Sequence, residues 1–347
     1  MTDKQSLKAI AAAVALAMAS GSVLAAKVPA GVKLAAKQEF TRNTGAEPET
    51  LDPVVAESVP ANTITADLFE GLTTLDVYGK VLPGVAESWK EVEANTWVFH
   101  LRKNAKWSDG TPVTAGDFVY GWQRFVDPKT ASPYASTYGM FIVNGKEIAE
   151  GKKPASTLGV KAVDKYTLEV KTPYPVLFLP SLVANTQLAP LPKATIDKYG
   201  KDWTKPGKMV SNGPFLLKDW QVNSKIVTAK NPNYWDAKNV QLTKITYLPI
   251  EDSNADVKLF ESGQNDFVYQ LPPGTFDKYK AQYPKEIRNT EFLALRYYSF
   301  NNKDPLLKDV RVRKALSMVI DRDILAKKIT ADGQTPAYSV MVRGISG

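Results

Sequence analysis

Residues 82–125 read LPGVAESWKEVEANTWVFHLRKNAKWSDGTPVTAGDFVYGWQRF. In Thr96 to Leu101, Trp97, Phe99 and Leu101 alternate with Val98 and His100, the period of two expected of a half-buried strand. Turns follow at Asn104–Lys106 and in Ser108-Asp109-Gly110-Thr111-Pro112, because Asp-Gly tolerates positive φ and Pro fixes its own. Thr114-Ala115-Gly116-Asp117 has capping-box spacing with Asp in place of Glu, so a helix starts there. Phe118, Trp122 and Phe125 then share one face of it. These aromatic residues are read as core and not as ligand contacts.

Upstream, residues 1–25 have the layout of a secretory signal peptide. Lys4 and Lys8 precede the apolar run AIAAAVALAMA at residues 9–19, and Ser22-Val23-Leu24-Ala25 suits cleavage after Ala25 or Ala26. The run is too short to span a bilayer. No cysteine follows it, so the expectation is a protein free in a periplasm and not lipid-anchored. The rest of the 347-residue chain is long enough for two domains, at ~100–200 residues each.

Composition excludes several chemistries. Without cysteine there are no thiol nucleophiles, thiolate metal sites or redox switches. The single histidine, His100, is the one candidate for a Ser-His-Asp triad, but no G-x-S-x-G elbow accompanies it and H-E-x-x-H is absent. Its place on a strand, opposite the aromatic face, reads as structural. The net charge of +8 is spread over single and paired cations among acids, unlike the clustered basic face of a nucleic-acid binder. No catalytic residue, metal ligand or cofactor is expected.

Elsewhere, Ile64, Leu68 and Leu72 recur at helical spacing before a stop at Gly71, and residues 76–80 turn between short strands. Residues 158–172 form a hairpin turning at Asp164-Lys165, and 195–199 a short helix. FLLKDWQVN, KIVTAK, KITYLP and DFVYQL read as strands, and 254–263 as a helix. Leu293, Leu295 and Tyr297 alternate in a further strand. Asp309 caps a helix whose Val312, Leu316, Val319 and Ile320 face inward, and Asp321 caps the next. The sum is an α/β chain with several hairpins and no internal repeat.

Further stretches accompany the opening one: TLDP at 50–53, DLFEGL at 67–72, DPKTASPYAS at 127–136, LGVKAVD at 158–164, NPNYWD at 231–236, TYLPI at 246–250 and NNKDPLLKDVRVRKAL at 301–316. Their common order over nearly the whole chain resembles the periplasmic oligopeptide-binding proteins, solute-binding proteins of peptide/nickel family 5 that serve ABC importers. The resemblance implies an α/β, two-lobed periplasmic-binding-protein clam-shell with an extra inserted domain. It places the first lobe at 26–69 and 194–292, the inserted domain at 70–193, and the start of the second lobe at 293–347. Family members are longer, so the second lobe is expected to be incomplete. The implied function is capture of short oligopeptides between two lobes, for delivery to an inner-membrane ABC permease complex. The protein would be a monomer that binds no nucleic acid and performs no covalent chemistry.

The resemblance also implies site residues. Glu57-Ser58-Val59-Pro60 is similar to the family's first-lobe ligand segment: Val59 pairs through its backbone, and Glu57 faces a basic end or side chain of the ligand. Tyr134, Tyr269 and Tyr297 match tyrosines that contact ligand, each offering a flat apolar face and one polar tip. Two positions depart from the family pattern. Ala294 stands where a cysteine paired to the second lobe is common, and Ser299 replaces an acidic residue, so the rim of the site differs. Two alternatives stand beside this reading. One is another solute of the family (murein peptide, dipeptide, haem or nickel), although one histidine and no cysteine argue against metal or haem ligation. The other is a non-functional truncated remnant.

Overall fold

The computed structural model describes residues 31–288, 294–331 and 333–341; the expected signal peptide and Leu293 lie outside them. The chain divides into two units. One runs to Glu251 and includes Gln264–Phe267; the other takes Asp252–Gly263 and the chain from Val268 onward.

In chain order the first unit carries β1 (Glu39–Asn43), α1 (Val59–Leu68), β2 (Thr73–Leu75), β3 (Val81–Pro83), β4 (Ala86–Glu93), β5 (Thr96–Leu101) and α2 (Ala115–Val126). Then come α3 (Ala135–Gly139), α4 (Gly145–Ala149), β6 (Val160–Asp164), β7 (Thr167–Lys171), α5 (Leu179–Leu182), α6 (Lys193–Tyr199), β8 (Phe215–Gln221), β9 (Lys225–Lys230) and β10 (Lys244–Leu248). The fold is mixed α/β. One sheet has the order β1-β10-β9-β8, with β1 parallel to β10 and the other pairs antiparallel. Another is the antiparallel sheet β4-β5-β7-β6, and β2 and β3 form a separate hairpin.

The period of two in β5 does what it predicts. Trp97, Phe99 and Leu101 are buried, while His100 points to the exposed face. Phe99 lies opposite Leu168 of β7, and both are fully buried. The β4–β5 connection turns at Asn95, whose φ of 65° is open to asparagine at small cost. Helix α2 then packs on this sheet with Phe118, Trp122 and Phe125 inward. Its start is held by the Asp117 carboxylate, which accepts the Thr114 N–H at 2.7 Å and the Trp107 Nε1–H at 3.3 Å. Burial pushes the Asp117 carboxyl up, against the hydrogen bonds from Thr114 and Trp107. Trp122 donates to the Leu188 carbonyl at 2.7 Å. The preceding residue, Gly121, lets the helix approach the chain closely, since a Cβ there would sit 2.9 Å from the Ala189 carbonyl oxygen.

A buried polar cluster ties these pieces together just beyond α1. Glu70 accepts the Tyr234 hydroxyl at 2.5 Å and the Trp235 Nε1–H at 2.7 Å, and the Arg102 guanidinium lies 3.8 Å over the Trp235 ring. Asn212 bonds both the N–H and the carbonyl of Glu70. Burial dominates and pushes the Glu70 carboxyl up to about 7, despite its hydrogen bonds.

Several sequence expectations need correction. Helix α1 ends at Leu68, short of the stop expected at Gly71; Leu72 is buried but lies beyond the helix. Gly71 acts through close approach, because a Cβ there would sit 2.5 Å from the Val183 carbonyl oxygen. DFVYQL is not a strand and contributes a single bridge, Phe267 to Arg42. Its backbone bonds to β1 are Asp266 N–H to the Thr41 carbonyl at 2.9 Å and Asn43 N–H to the Phe267 carbonyl at 3.3 Å, while the Tyr269 N–H goes to the Asp256 side chain at 2.8 Å.

The second unit is helical among its described residues: α7 (Ser253–Glu261), α8 (Phe276–Gln282), α9 (Val310–Met318) and α10 (Arg322–Ile324). Asp309 and Asp321 cap α9 and α10 as expected, accepting the Arg311 and Ile324 N–H groups. Residues 294–300 are not a strand. The expected inward face of α9 is also not seen, for Leu316 and Val319 are exposed. That unit has no strand among its described residues for this face to pack against. No helix among the described residues is long and apolar enough to cross a membrane.

Candidate ligand-binding site

The loop before α1 is organised by Glu49. Its Oε1 accepts the Glu57 N–H at 2.6 Å and the Ser58 N–H at 3.0 Å, and its Oε2 accepts the Ser58 hydroxyl. Burial pushes the Glu49 carboxyl up, but the Ser58 hydroxyl and the two amides outweigh it and hold the group below its ordinary value. Glu49 therefore stays charged and grips three donors of the loop.

Ser58 is the N-cap of α1, with φ −72° and ψ 155°. Its Oγ accepts the Ala61 N–H at 3.2 Å, and its carbonyl accepts the Asn62 N–H at 2.9 Å. Pro60 has no N–H to offer. Among the described residues that leaves the Val59 N–H as the first-turn donor without an acceptor. Val59 is thus a helix residue and offers a single donor at a helix start, not the two-sided edge of a strand. Its side chain is 57% exposed, and Glu57 beside it is exposed as well.

Tyr134 comes to the same place from the turn before α3. Its hydroxyl donates to the Glu57 carbonyl over a long 3.4 Å, and its ring stacks on Tyr138 at 5.3 Å. The structure thus brings Glu57, Val59 and Tyr134 together. Tyr269 and Tyr297 belong to the second unit. There Tyr269 is tied through its N–H to Asp256 at 2.8 Å with its ring partly exposed, and Tyr297 is 75% exposed.

Behind the loop lies a second tier of contacts. Arg124, from the C-terminal turn of α2, forks onto Asp52 with bonds of 3.0 and 2.6 Å. Trp203 Nε1 donates to the same carboxylate at 3.2 Å, and the Asp52 carbonyl accepts the Val55 and Ala56 N–H groups. Gln187, buried, donates to Asn62 Oδ1 at 2.8 Å and to the Ala56 carbonyl at 3.3 Å. The loop that presents Glu57 and Val59 is therefore fixed from both ends. Glu49, Arg124 and Gln187 were not anticipated as parts of this site. Arg124 lay in plain view within the opening stretch, but no local pattern links it to Asp52, which is 72 residues away.

The chemistry on offer is recognition: a free amide donor, an exposed carboxylate and an aromatic face. No group of three or more His, Asp or Glu among the described residues could hold a metal ion. Open clefts of about 380 and 410 Å³ lie beside Trp107–Asp197 and Arg124–Trp203, and neither includes Glu57, Val59 or Tyr134. Glu57, Val59 and Tyr134 form one wall of the candidate site.

Residues 80–347 match the family described as Bacterial extracellular solute-binding proteins, family 5 Middle. The periplasmic oligopeptide-binding protein OppA of Escherichia coli strain K12 is 49% identical over 342 residues, covering 97% of this chain and 63% of that protein. Among solved structures, OppA of Burkholderia pseudomallei gives a TM-score of 0.88 at 48% identity, over 90% of this chain and 62% of that one. OppA of Haemophilus influenzae, solved in complex with RPPGFSPFR, gives 0.87 at 41% identity, again over 90% of this chain and 62% of that one. The chain spans less than two thirds of the length of each of these relatives.

Proposed function

The chain belongs to the bacterial extracellular solute-binding proteins of family 5, and on that premise we propose that it captures short oligopeptides in the periplasm for an ABC importer. The observation that supports the reading is the loop clamped by Glu49, in which the Val59 N–H has no acceptor among the described residues, Glu57 is exposed and the Tyr134 hydroxyl reaches the Glu57 carbonyl. A binder that accepts many sequences must address what all peptides share. A main-chain donor meets a peptide carbonyl whatever its side chain, as in strand addition. Each such bond contributes only about 0.5–1.5 kcal/mol net, so several act together, with water filling the side-chain space.

Glu57 meets a basic end or side chain of the ligand, and Tyr134, Tyr269 and Tyr297 supply faces for variable side chains. In the proposed division the sheet of β1 and β8–β10 belongs to the first lobe (26–69 and 194–292). The sheet of β4–β7 belongs to the inserted domain (70–193), and 293–347 begins the second lobe. The protein works as a monomer, hands its ligand to a membrane permease complex and carries out no covalent chemistry. The peptide ligand of the Haemophilus relative supports this reading.

Native mass spectrometry of the protein in its full natural length tests it. The mixture contains tri- to pentapeptides of unrelated sequence and murein tripeptide. Many different peptides should each add one mass. Retention of the murein tripeptide alone would move the ligand to another member of the family, and retention of none would sink the reading.

A further inference from the structure

The cleft beside Arg124 and Trp203 measures about 410 Å³. A water takes up ~30 Å³ of the liquid, so the cleft has room for a molecule and not only for a bare ion. Glu57, Val59 and Tyr134 do not line it. Two of the residues that do, Arg124 and Lys201, are cations, and the one carboxylate among them is Asp52.

That carboxylate is already engaged on all sides. It accepts from both Nη atoms of Arg124, from Trp203 Nε1 and, at 3.3 Å, from the Val54 N–H. Arg124 is not so engaged. A guanidinium carries five N–H donors, and Asp52 takes two of them. The Nε–H and one N–H on each Nη bond nothing among the described residues, and the side chain is 22% exposed. Lys201 is exposed and forms no ion pair among the described residues. Its acidic neighbours have other partners: Asp197 pairs with Lys193, and Asp202 pairs with Lys205 and Lys208 at 2.7 and 2.9 Å. Residues 193–208 hold five lysines against these two aspartates. Thr50 adds a hydroxyl whose oxygen accepts the Asp52 N–H at 3.1 Å and whose proton remains to donate.

Unpaired cations beside spent acids give the cleft a positive potential, which draws in an anion. The open edge of the Arg124 guanidinium presents Nε–H and Nη–H as a planar fork, the shape that matches a carboxylate. Val55, Ile196 and Trp203 supply apolar lining. We propose that this cleft is a second binding site, separate from the peptide wall, for a small organic carboxylate with a short apolar body. Arg124 then bridges two carboxylates, Asp52 on one edge and the ligand on the other. Lys201 contributes the second positive charge, and Val55 and Ile196 meet the apolar body. The site does not depend on what the wall binds.

Saturation-transfer NMR tests it on the protein in its full natural length, at pH 7 and constant ionic strength. The probes are 4-methylpentanoate and its neutral amide, with inorganic phosphate as competitor. The carboxylate should bind saturably, the amide about tenfold more weakly, and phosphate should compete poorly. Lys201→Glu reverses a charge in the lining and should weaken the carboxylate about tenfold at an unchanged thermal midpoint. Lys198→Glu makes the same change in net charge at a residue outside the lining and should leave the affinity unchanged. No saturable binding of the carboxylate overturns the proposal, and so does an amide that binds as tightly. Equal losses in the two variants would reduce the effect to overall charge and overturn it as well. Phosphate that binds as tightly as the carboxylate would make the cleft a plain anion site and strike the assigned ligand class.

Discussion

Val59 carries the account at the scale of single residues, through its backbone. It sits at the first position of α1, and Ser58 before it has φ −72° and ψ 155°, the conformation that a following proline requires. Val59→Pro should therefore remove this unpaired N–H without disturbing the helix. Peptide affinity is expected to fall about two- to tenfold, the worth of one net hydrogen bond, at an unchanged thermal midpoint. Unchanged affinity would show that this amide is not a ligand donor. Glu70 supports a prediction about pH. Its carboxyl stands at about 7 in the fold against an ordinary 4.5, so the folded chain holds the proton more tightly than the unfolded one. The resulting stability is fully present below about 4.5 and is lost as pH rises from there to about 7, on the order of 3 kcal/mol in all. Glu70→Gln should flatten the fall in thermal midpoint between pH 5 and 8. A variant with the same slope as the parent would assign that slope to other groups, such as Asp67 and Asp117, whose carboxyls burial also pushes up.

Helix α2 matters beyond its packing. Its aromatic face builds the core beside the β4–β7 sheet, while Arg124 in its last turn reaches Asp52, in the loop that leads to Glu57. Arg124→Ala would leave a buried carboxylate without its cation, at a cost of about 3 kcal/mol. Arg124→Lys would keep the charge and lose the fork, recovering part of that loss. Urea midpoints measure both. If the alanine variant is as stable as the parent, the pair does not hold the loop. The strand at 96–101, the capping box at Thr114 and the caps at Asp309 and Asp321 could be read from the sequence because each is a local pattern of side-chain spacing. Glu49, Arg124 and Gln187 could not, because their partners are set by how distant segments meet. DFVYQL misled for a related reason. Its alternation is that of a strand, but the pairing with β1 extends no further than a bridge at Phe267, and the Tyr269 N–H goes to the Asp256 side chain.

For the molecule as a whole, the family was legible because its motifs keep one order along almost the entire chain, even though the aromatic residues of the 82–125 stretch, such as Phe99, Phe118, Trp122 and Phe125, are buried in the core. The proposed ligand contacts rest on fewer groups: the Val59 amide, the Glu57 carboxylate and the Tyr134 ring, on a wall held from behind by Glu49 and the Asp52–Arg124 pair. Such a wall should favour peptides over other solutes and should discriminate weakly among sequences. Calorimetry of the protein in its full natural length with trialanine and trilysine, at equal concentrations and pH 7, tests this claim most directly. Both should bind, with dissociation constants within about tenfold of each other, since the shared main-chain bonds dominate. Heat from neither peptide would contradict it.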